Sequence, residues 1–455
     1  MQNIFDEVGS LDRRCYEEFG LSEELLMEHA ANGMATFIKG KFPVDSRIII
    51  VCGSGNNGAD GLALARLLHK YFEVTVFLAK QVKSPMAKLQ HKRTMALGIT
   101  EISMLTPCDV LVDALVGTGF SGTLDTKLSQ LLDDMNAIEA YKIACDIPSA
   151  YLFNADITLT MGALKKSMFL DGVKDCVGEI EVLDLGVHRE IYETDSNTKL
   201  LELEDIVLPH RTRKDSHKGS FGHLNLVCGE KEGASIMSAL AASRFGCGLV
   251  TLLSHKENFS YHHTLMSSHT LAKNTSALAC GMGLGNEFSS EELQSYLGTH
   301  IPLILDADIL YMPLMLGLLQ AKNIVLTPHP KEFVALLKLT GLADISVEVL
   351  QEKRFEYVAL FAQKYPQVTL LLKGANVIIA QDSQCFVNPH GTSALAKGGS
   401  GDVLSGVIGS LLAQGYSPLS AAINGSLAHT KLARNYKGAD FSLTADDLIA
   451  GIGNL

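Results

Sequence analysis

Short apolar runs alternate with longer helical patterns along the first half of the chain. Six apolar runs have the length of a β-strand: residues 47–52, 74–79, 109–116, 142–147, 156–161 and 179–185. Each is followed by a polar or glycine-rich turn. A helical pattern precedes them at residues 6–39 and includes Ser22 as an expected N-cap. Strands that are apolar on both faces and alternate with helices predict a parallel, doubly wound α/β sheet.

A second α/β series follows the charged and polar stretch at residues 190–220. Its later strands are expected to end in four segments: Gly281-Met282-Gly283-Leu284-Gly285, Asp306-Ala307-Asp308, Thr327-Pro328-His329-Pro330 and Lys373-Gly374-Ala375-Asn376. Polar stretches of this kind mark domain boundaries. We therefore expect two domains, residues 1–195 and residues 203–455.

The stretch Ala396-Lys397-Gly398-Gly399-Ser400-Gly401-Asp402-Val403-Leu404 predicts an anion-binding loop that opens a helix. Its glycines let a ligand approach the backbone, and the free N–H groups of a helix N-terminus attract negative charge. Apolar residues at i, i+4 spacing and small residues on the opposite face predict a buried helix. Asp402 has two interpretations here: a carboxylate that complements the helix dipole, or a base that deprotonates a hydroxyl attacking a phosphate.

Composition excludes several classes of protein. Of 455 residues, 47% are hydrophobic and 19% are charged, which is typical of a compact α/β enzyme with more than one domain. A net charge of −12 provides no basic field for nucleic acid or an anionic membrane. Nine scattered cysteines without a Cys-x-x-Cys pair indicate reduced thiols in a cytoplasmic protein. No signal peptide or membrane span is expected, since acidic residues interrupt both the first 20 residues and the most apolar region, 301–320.

Glycines 53, 55 and 58 match the dinucleotide fingerprint Gly-x-Gly-x-x-Gly, so an NAD-dependent dehydrogenase has to be considered. The acidic residue that should follow the second strand is missing, because Glu73 precedes that strand and Lys80 follows it. Polar clusters also follow three other predicted strands, at residues 113–122, 146–149 and 162–166. Since the carboxyl ends of parallel strands lie at one edge of a sheet, these clusters predict a pocket there.

Three segments of the first half resemble the NAD(P)H-hydrate epimerase family: Gly-Ser-Gly-Asn-Asn-Gly-Ala-Asp-Gly at 53–61, Asp-Ala-Leu-Val-Gly-Thr-Gly at 113–119, and Asp-Ile-Pro-Ser at 146–149. The resemblance implies a Rossmann-like domain that interconverts the two epimers of hydrated NADH or NADPH. It also implies a K⁺ ion held by oxygen atoms of Asn57, Asp113 and Ser149. The implied hydrate-binding residues are Asn56, Asn57, Gly58, Ala59, Asp60, Gly117, Thr118, Gly119, Phe120, Ser121, Gly122, Thr123 and Asp146. Asp146 is the expected catalytic residue, and Lys165 is a second candidate for moving protons.

The segments of the second half resemble the nucleotide-dependent NAD(P)H-hydrate dehydratases, which have a ribokinase-like fold. The motifs that agree in order are Gly-Met-Gly-Leu-Gly, Leu-Asp-Ala-Asp, Thr-Pro-His-Pro, Lys-Gly-Ala and Gly-Gly-Ser-Gly-Asp. The resemblance implies Mg²⁺ with ADP as the nucleotide. The implied nucleotide-binding residues are Lys373, Gly374, Ala375, Asn376, Val377 and Gly401, and the implied hydrate-binding residues are Ala234, Gly283, His329 and Asp402. Under this hypothesis Asp402 takes the proton of the hydrate hydroxyl as it attacks the terminal phosphoryl group.

The resemblances together predict a bifunctional enzyme, isomerase and lyase, that repairs the hydrates of NADH and NADPH. Two alternatives remain for the separate domains. The second domain has the glycine-rich loop and the acid, Asp402, that a ribokinase-like small-molecule kinase needs. The first domain could be a non-catalytic nucleotide-binding module, because its loop after Ser149 is shorter than is usual in the epimerase family. The apolar first helix favours a homo-oligomer.

Overall fold

The computed structural model describes residues 1–119, 124–256 and 263–455. Its contacts divide the chain into two compact units. We call Asn3–Ser196 the N-terminal unit, and Asn197–Leu455 with Met1–Gln2 the C-terminal unit. All nine cysteines are free thiols, as predicted. Within the described residues, no helix has both the length and the apolar character needed to cross a membrane.

The first 196 residues contain nine strands and seven α-helices among the residues described. The strands are β1 (Gln2–Phe5), β2 (Arg47–Cys52), β3 (Glu73–Leu78), β4 (Thr100–Ile102), β5 (Val110–Ala114), β6 (Tyr141–Cys145), β7 (Ile157–Met161), β8 (Leu164–Lys165) and β9 (Glu179–Leu183). The helices are α1 (Gly9–Glu18), α2 (Glu23–Lys41), α3 (Asn56–Leu68), α4 (Pro85–Ala96), α5 (Thr126–Ala137), α6 (Lys174–Val177) and α7 (Arg189–Tyr192).

The helical region predicted over residues 6–39 forms two helices, α1 and α2. Gly20 has a φ of 65°, a left-handed conformation that ends α1. Ser22 then caps α2, since its side chain accepts a hydrogen bond from the Leu25 N–H. The predicted N-cap at Ser22 is therefore confirmed, and it starts a second helix rather than lying inside one.

The N-terminal unit is built on a 7-stranded sheet with the order β4-β3-β2-β5-β6-β7-β9. All of its strand pairs are parallel, so the predicted doubly wound sheet is confirmed. The chain moves outward from β2 through β3 to β4 and then returns to place β5 on the other side of β2. The loops after β2 and β5 consequently diverge and leave a crevice at the carboxyl edge of the sheet.

Helices cover both faces of this sheet. Ile48 and Ile50 of β2 pack in an apolar cluster with Met34 of α2 and Leu64 of α3. The intervening residue Ile49 belongs to a second cluster, on the opposite face, that includes Leu132 of α5. Both faces of β2 are therefore buried, and its residues are apolar from Ile48 to Cys52. For this reason its sequence does not alternate between apolar and polar residues.

The C-terminal unit repeats the α/β plan with ten strands and nine α-helices among its described residues. The strands are β10 (Thr198–Leu200), β11 (His223–Val227), β12 (Leu249–Leu253), β13 (Met266–Ser268), β14 (Ala277–Cys280), β15 (Leu303–Leu305), β16 (Ile324–Leu326), β17 (Val368–Leu372), β18 (Val377–Gln381) and β19 (Gln384–Asn388). The helices are α8 (Glu232–Arg244), α9 (Ser290–Leu297), α10 (Met315–Leu318), α11 (Pro330–Leu339), α12 (Val347–Glu352), α13 (Arg354–Lys364), α14 (Ser400–Ala413), α15 (Pro418–Asn435) and α16 (Ala445–Gly451).

The sheet of the C-terminal unit follows the order β13-β12-β11-β14-β15-β16-β17-β18-β19-β10. The strands from β13 to β17 pair in parallel, whereas β18 is antiparallel to both of its neighbours. The carboxyl ends of β11, β14, β15, β16 and β17 therefore lie along one edge. The four polar segments predicted to follow strands all lie at this edge, and the predicted α/β class is confirmed for this unit too.

Helix α14 is the buried helix that the sequence predicted. All of its residues except Gly401 and Asp402 are buried. A Cβ atom at Gly406 would lie 2.1 Å from the backbone oxygen of Ser238 in α8, so glycine is needed for the two helices to pack this closely. Gly399 has a φ of 89° at the start of the helix, where other residues are strained. The helix thus holds its N-terminal turn in a fixed position at the sheet edge.

Candidate active sites

The N-terminal unit contains a cavity of about 620 Å³ at the crevice between β2 and β5. Seven of the residues predicted to bind a ligand line it: Asn56, Asn57, Asp60, Gly117, Thr118, Gly119 and Asp146. The first two helices and the residues before them contribute a wall that the sequence analysis did not identify: Val8, Asp12, Tyr16, Glu23, Leu26, Met27 and Ala30. Polar side chains from three loops and three helices therefore surround one space.

Two glycines of the Gly-x-Gly-x-x-Gly match, Gly53 and Gly58, are required by backbone packing around this cavity, whereas Gly55 has open space around it. A Cβ atom at Gly53 would lie 1.8 Å from the Leu115 carbonyl oxygen, and one at Gly58 would lie 2.1 Å from the Gly53 carbonyl oxygen. Gly53 thus lets the turn after β2 lie against the turn after β5, and Gly58 lets the first turn of α3 lie against Gly53. Close approach of a dinucleotide is not needed to explain them, which removes the main argument for a dehydrogenase.

Several predicted binding positions lie elsewhere. Gly58 and Ala59 are buried inside α3, and Ala59 packs in an apolar cluster with Met27 and Ala87. The predicted residues Phe120, Ser121, Gly122 and Thr123 lie outside the described residues.

The predicted K⁺ ligands Asp113 and Ser149 are in direct contact. Asp113, at the end of β5, accepts hydrogen bonds from the Ser149 hydroxyl at 2.6 Å and from the Ser149 backbone N–H at 2.7 Å. The Asp113 carboxyl is fully buried, and this burial raises its pKa to about 6. No cationic side chain pairs with Asp113 in the part of the chain that the structure describes.

Asn57 provides the third predicted ligand of this ion. Its side-chain nitrogen is buried without a hydrogen-bond partner among the described residues, and its side chain approaches the backbone of Gly117. An amide buried in this way has polar capacity left for a ligand or ion beside it. A buried carboxylate without a cationic partner suits an oxygen-ligated monovalent cation. The unpaired Asn57 amide nitrogen is a donor, so it suits an acceptor oxygen of a ligand, and only Asn57 Oδ1 could bind the ion.

Asp146 lies after β6 and is held by a buried lysine. Lys165 is 1% exposed, and its Nζ lies 2.6 Å from Asp146 Oδ1 and 2.7 Å from Thr160 Oγ1. The Met161 backbone N–H also donates to Asp146 Oδ1. Asp146 has a φ of 71°, so the backbone is in the left-handed region where this side chain reaches the cavity. The two candidates for moving protons in this unit are therefore one ion pair.

Two further carboxyl groups of the cavity are protonated more readily than usual. Burial, together with the charges of Asp146 and Asp12, raises the pKa of Asp60 well above its ordinary value. Burial also raises the pKa of Asp12 on α1, and the Tyr192 hydroxyl opposes this rise by donating a hydrogen bond at 2.8 Å. Asp12 belongs to no motif. The only signal in the sequence that could have distinguished it from an ordinary surface aspartate is its position on an amphipathic helix.

The C-terminal unit builds its site around an ion pair. Lys373, after β17, lies 2.7 Å from Asp306 Oδ1 and 2.9 Å from Oδ2, and the Asp306 side chain is 3% exposed. Ser405 of α14 donates a further hydrogen bond to Asp306 at 2.7 Å. The Lys373 ammonium is also the nearest group to Gly401, at 3.3 Å from the position of a Cβ atom there. A fixed cation thus lies beside the N-terminus of α14, where an anion is favoured.

Asp402 lies in the first turn of α14, next to this pair. Burial raises the pKa of Asp402 to about 6, the charge of Asp306 adds to the rise, and Lys373 opposes it. Its carboxyl has no hydrogen-bond partner among the described residues, while its backbone oxygen accepts from Ser238. A desolvated carboxyl with no hydrogen-bond partner, beside an anion site, has the properties of a general base near neutral pH.

His329 caps α11 at the same edge. Its Nδ1 accepts hydrogen bonds from the backbone N–H groups of Lys331 and Glu332, and its Nε2 lies 3.1 Å from Glu332 Oε1. Burial and the charge of Lys373 lower the pKa of His329. Burial, with Asp306 nearby, raises the pKa of Glu332 to about 7. Glu332 was not identified from the sequence as functional, and its contact with His329 is the signal that reveals it.

The remaining predicted residues lie at the same edge of the sheet. Gly283, with a φ of 63°, packs against Ala234, since a Cβ atom at Gly283 would lie 3.1 Å from the Ala234 Cβ. Residues 373–376 form the turn between β17 and β18, and Val377 begins β18. The six residues predicted to bind the nucleotide therefore lie in one hairpin turn, in the first residue of the following strand and in the first turn of α14.

Both halves of the chain match known families. A family model described as NAD(P)H-hydrate dehydratase matches residues 224–453, and one described as YjeF-related protein N-terminus matches residues 23–167. A bifunctional NAD(P)H-hydrate repair enzyme of Helicobacter pylori is 41% identical, with 100% of each chain covered. The corresponding enzyme of Coxiella burnetii is 33% identical, with 97% of this chain and 96% of the relative covered. Among solved structures, an ADP/ATP-dependent NAD(P)H-hydrate dehydratase of Bacillus subtilis, co-crystallised with ATP and Mg²⁺, covers 57% of this chain and 98% of its own, at 28% identity and a TM-score of 0.48.

Proposed function

The chain belongs to the family of bifunctional NAD(P)H-hydrate repair enzymes, and from this premise we propose how its two units carry out the repair. Residues 1–195 interconvert the R and S hydrates of NADH and NADPH. Residues 203–455 dehydrate the S hydrate at the expense of a nucleotide. The observation that carries this proposal is that each unit has its own polar site at the carboxyl edge of its sheet.

Dehydration begins with the hydroxyl on the ring carbon next to the nicotinamide nitrogen. Asp402 takes the proton of this hydroxyl as its oxygen attacks the terminal phosphoryl group of ADP, and AMP leaves. Two features support Asp402 as the base: its carboxyl has a pKa of about 6, and it stands beside the Lys373 ammonium that would hold the phosphates. The N–H groups at Gly399–Gly401 stabilise the charge that develops during the transfer.

Phosphate is then a better leaving group than hydroxide. The lone pair of the ring nitrogen expels phosphate, and loss of a proton from the neighbouring carbon restores the dihydropyridine. Ala234, Gly283 and His329 contact the hydrate in this proposal, and Lys373, Gly374, Ala375, Asn376, Val377 and Gly401 contact the nucleotide.

Mg²⁺ accompanies the nucleotide and neutralises its phosphates when bound. Within the described residues, no group of three or more His, Cys, Asp or Glu side chains is arranged to hold a metal ion. This suits Mg²⁺, which proteins commonly hold through one or two carboxylates together with substrate phosphates. Asp306 is already bound to Lys373, and Asp308, Glu332 and Asp402 are further acidic side chains at this edge.

Epimerisation requires the hydroxyl to leave the ring carbon and a hydroxyl to return on the other face of the ring. Asp146, fixed by Lys165, lines the cavity in which we place the hydrate with Asn56, Asn57, Asp60, Gly117, Thr118 and Gly119. A K⁺ ion held by Asn57, Asp113 and Ser149 would supply the positive charge that the buried Asp113 carboxylate lacks.

The test of the function is recovery of absorbance at the reduced-nicotinamide band from a mixture of both hydrate epimers, with ADP, with ATP and without nucleotide. Complete recovery with one nucleotide is expected. Recovery that stops at the fraction of one epimer would leave the first unit as a binding module. Consumption of nucleotide without recovery, when small alcohols are offered, would favour a kinase instead.

We also propose that the chain forms homo-oligomers. Phe19 and Leu25, near the junction of α1 and α2, expose 38% and 46% of their surface, which supports an interface there. Light scattering of the purified chain measures its mass in solution directly, and a monomeric mass would contradict the proposal.

A further inference from the structure

Asp12 is a cavity carboxyl that no sequence motif marks. Its helix α1 is anchored by Leu11 and Cys15, which are buried in an apolar cluster with Tyr192. Asp12 itself lines the same cavity as Asp146. Its carboxyl is held in place, because Tyr192 Oη donates a hydrogen bond to Asp12 Oδ1 at 2.8 Å.

The partner of Asp12 is fixed just as firmly. Tyr192 is 1% exposed, and its ring lies against the backbone of Gly162, where a Cβ atom would be 2.5 Å from the ring carbons. Gly162 has a φ of 73° and begins the turn that leads to Lys165. The turn at residues 162–165 therefore supports both carboxyl groups, Asp146 through the Lys165 ammonium and Asp12 through the Tyr192 ring.

These two supports differ in charge. Asp146 is paired with the Lys165 ammonium at 2.6 Å. Asp12 receives only a neutral hydroxyl, and no ion pair to Asp12 exists among the described residues. Burial and the charges of Asp146 and Glu7 raise the pKa of Asp12, whereas the Tyr192 hydrogen bond and the charge of Lys165 lower it.

We propose that Asp12 is a second catalytic acid–base residue of the epimerase site, sharing the cavity and the hydrate with Asp146. This inference rests on the proposed epimerisation. Asp12 gives its proton to the departing hydroxyl, the carbon–oxygen bond breaks, and the nitrogen lone pair forms the iminium. Water then adds to the other face, Asp146 takes its proton, and the electron pair returns to nitrogen. One water molecule leaves and one is added, and a proton passes from Asp146 back to Asp12 through water, so no oxidant or co-reactant is needed.

Two carboxyl groups with different partners, a neutral hydroxyl for Asp12 and an ammonium for Asp146, fit this chemistry. Departure of the hydroxyl needs a proton donor, and addition of water needs a proton acceptor. Glycosidases that invert their substrate solve the same problem with one carboxylic acid and one carboxylate on opposite faces of the sugar. Tyr192 is a positioning residue in this scheme, since it touches Asp12 and does not line the cavity.

The test follows conversion of the isolated R hydrate to the S hydrate by chromatography, with the full chain, KCl and no nucleotide. Without nucleotide the dehydratase is silent, so the assay reports the N-terminal site alone. Asp12→Asn is expected to slow the conversion on the order of 10²-fold or more. Its ADP-dependent dehydration of the S hydrate should stay at the wild-type rate. Glu17→Gln is the matched control, because Glu17 is an exposed carboxyl on the same helix.

A pH profile separates a chemical role from a structural one. Tyr192→Phe removes a hydrogen bond that lowers the pKa of Asp12, so Asp12 should stay protonated to higher pH. The falling limb of the conversion rate should therefore move to higher pH. A variant that only loosened α1 would lower the rate equally at every pH and would contradict the proposal.

The outcomes also separate this inference from the function on which it rests. Wild-type conversion by Asp12→Asn, with Asp146→Asn inactive, would overturn the role of Asp12 and leave the epimerase intact. Conversion by the wild type that is no faster than the spontaneous rate would overturn both. If Asp12→Asn does not fold, the Tyr192→Phe profile decides, and an unshifted limb would overturn the proposal.

Discussion

At the scale of single residues, Asp402 is the side chain whose environment makes the sharpest prediction. A carboxyl group must be ionised to act as a base, and the pKa of Asp402 is about 6. Dehydration should therefore rise with pH through about 6 and level off above it, with roughly one tenth of the plateau rate one pH unit lower. Asp402→Asn should lower the plateau rate by about 10²–10⁴-fold.

Stability supplies the control for this variant. The pKa of Asp402 is raised in the folded state, so its ionisation costs stability as the pH rises from 3.8 to about 6. Asp402→Asn removes that cost and should unfold at or above the wild-type temperature at pH 7. Asp446 is an exposed aspartate in the first turn of α16, and Asp446→Asn should leave dehydration unchanged. Equal losses of dehydration rate in Asp402→Asn and Asp446→Asn would favour a helix-dipole role for Asp402.

Asp113 carries the prediction about potassium. Its carboxyl is fully buried with a pKa of about 6, so above that pH it is a charge without a cationic side chain beside it. KCl should increase the free energy of unfolding of the N-terminal unit relative to LiCl, by about 1.4 kcal/mol at a K⁺ concentration ten times the dissociation constant. The unfolding temperature should rise accordingly. The effect should shrink below pH 6, where Asp113 is protonated.

Asp113→Asn should abolish this difference between the salts, whereas Asp133→Asn, at an exposed position in the same unit, should keep it. Calorimetry in the two salts measures both. A difference that persists in Asp113→Asn would place the ion elsewhere.

Residues within motifs could be identified from the sequence, and residues brought in by folding could not. Asn57, Asp60 and Asp146 follow predicted strands and do line the cavity. Asp12 and Glu332 were missed because each becomes chemically distinctive only through a neighbour that folding supplies: Tyr192, 180 positions away, for Asp12, and the His329 ring for Glu332.

At the scale of helices and strands, the close packing of α14 on α8 controls the geometry of the anion loop. Gly406→Ala would place a Cβ atom 2.1 Å from the Ser238 backbone oxygen. The helices must separate, which should cost about 1–3 kcal/mol of stability and displace the first turn of α14. The Michaelis constant for ADP should rise with the loss of stability.

Gly317→Ala is the matched control, since Gly317 lies in α10 with open space around it. That variant should be neutral or more stable by about 0.5–1 kcal/mol. Chemical denaturation and ADP kinetics measure the pair, and equal effects of the two substitutions would show that packing against α8 is unimportant.

Strand prediction succeeded where burial leaves a continuous apolar run. Residues 47–52 coincide with β2, and the other five predicted strands of the first half overlap β3, β5, β6, β7 and β9. The short strands β1, β4 and β8 were missed, because four, three and two residues provide too little pattern. The N-cap at Ser22 was found from the sequence, whereas the left-handed Gly20 that ends α1 was not.

At the scale of the whole molecule, the described residues of each site come from one unit only. The epimerase wall includes residues from α1 to the loop after β9, and the dehydratase site includes residues from α8 to α14. Neither site borrows a described side chain from the other unit. The two activities should therefore be separable by single substitutions.

Separability leads to a test by complementation. Asp146→Asn should dehydrate the S hydrate and leave the R hydrate, whereas Asp402→Asn should interconvert the epimers without restoring absorbance. A mixture of the two variant proteins should restore the full absorbance of the hydrate mixture, because the epimer made at one site diffuses freely to the other. The rate should scale with the concentration of the slower variant. Incomplete recovery from the mixture, with full recovery by the wild type at equal site concentrations, would mean that the hydrate passes between sites of one chain without release.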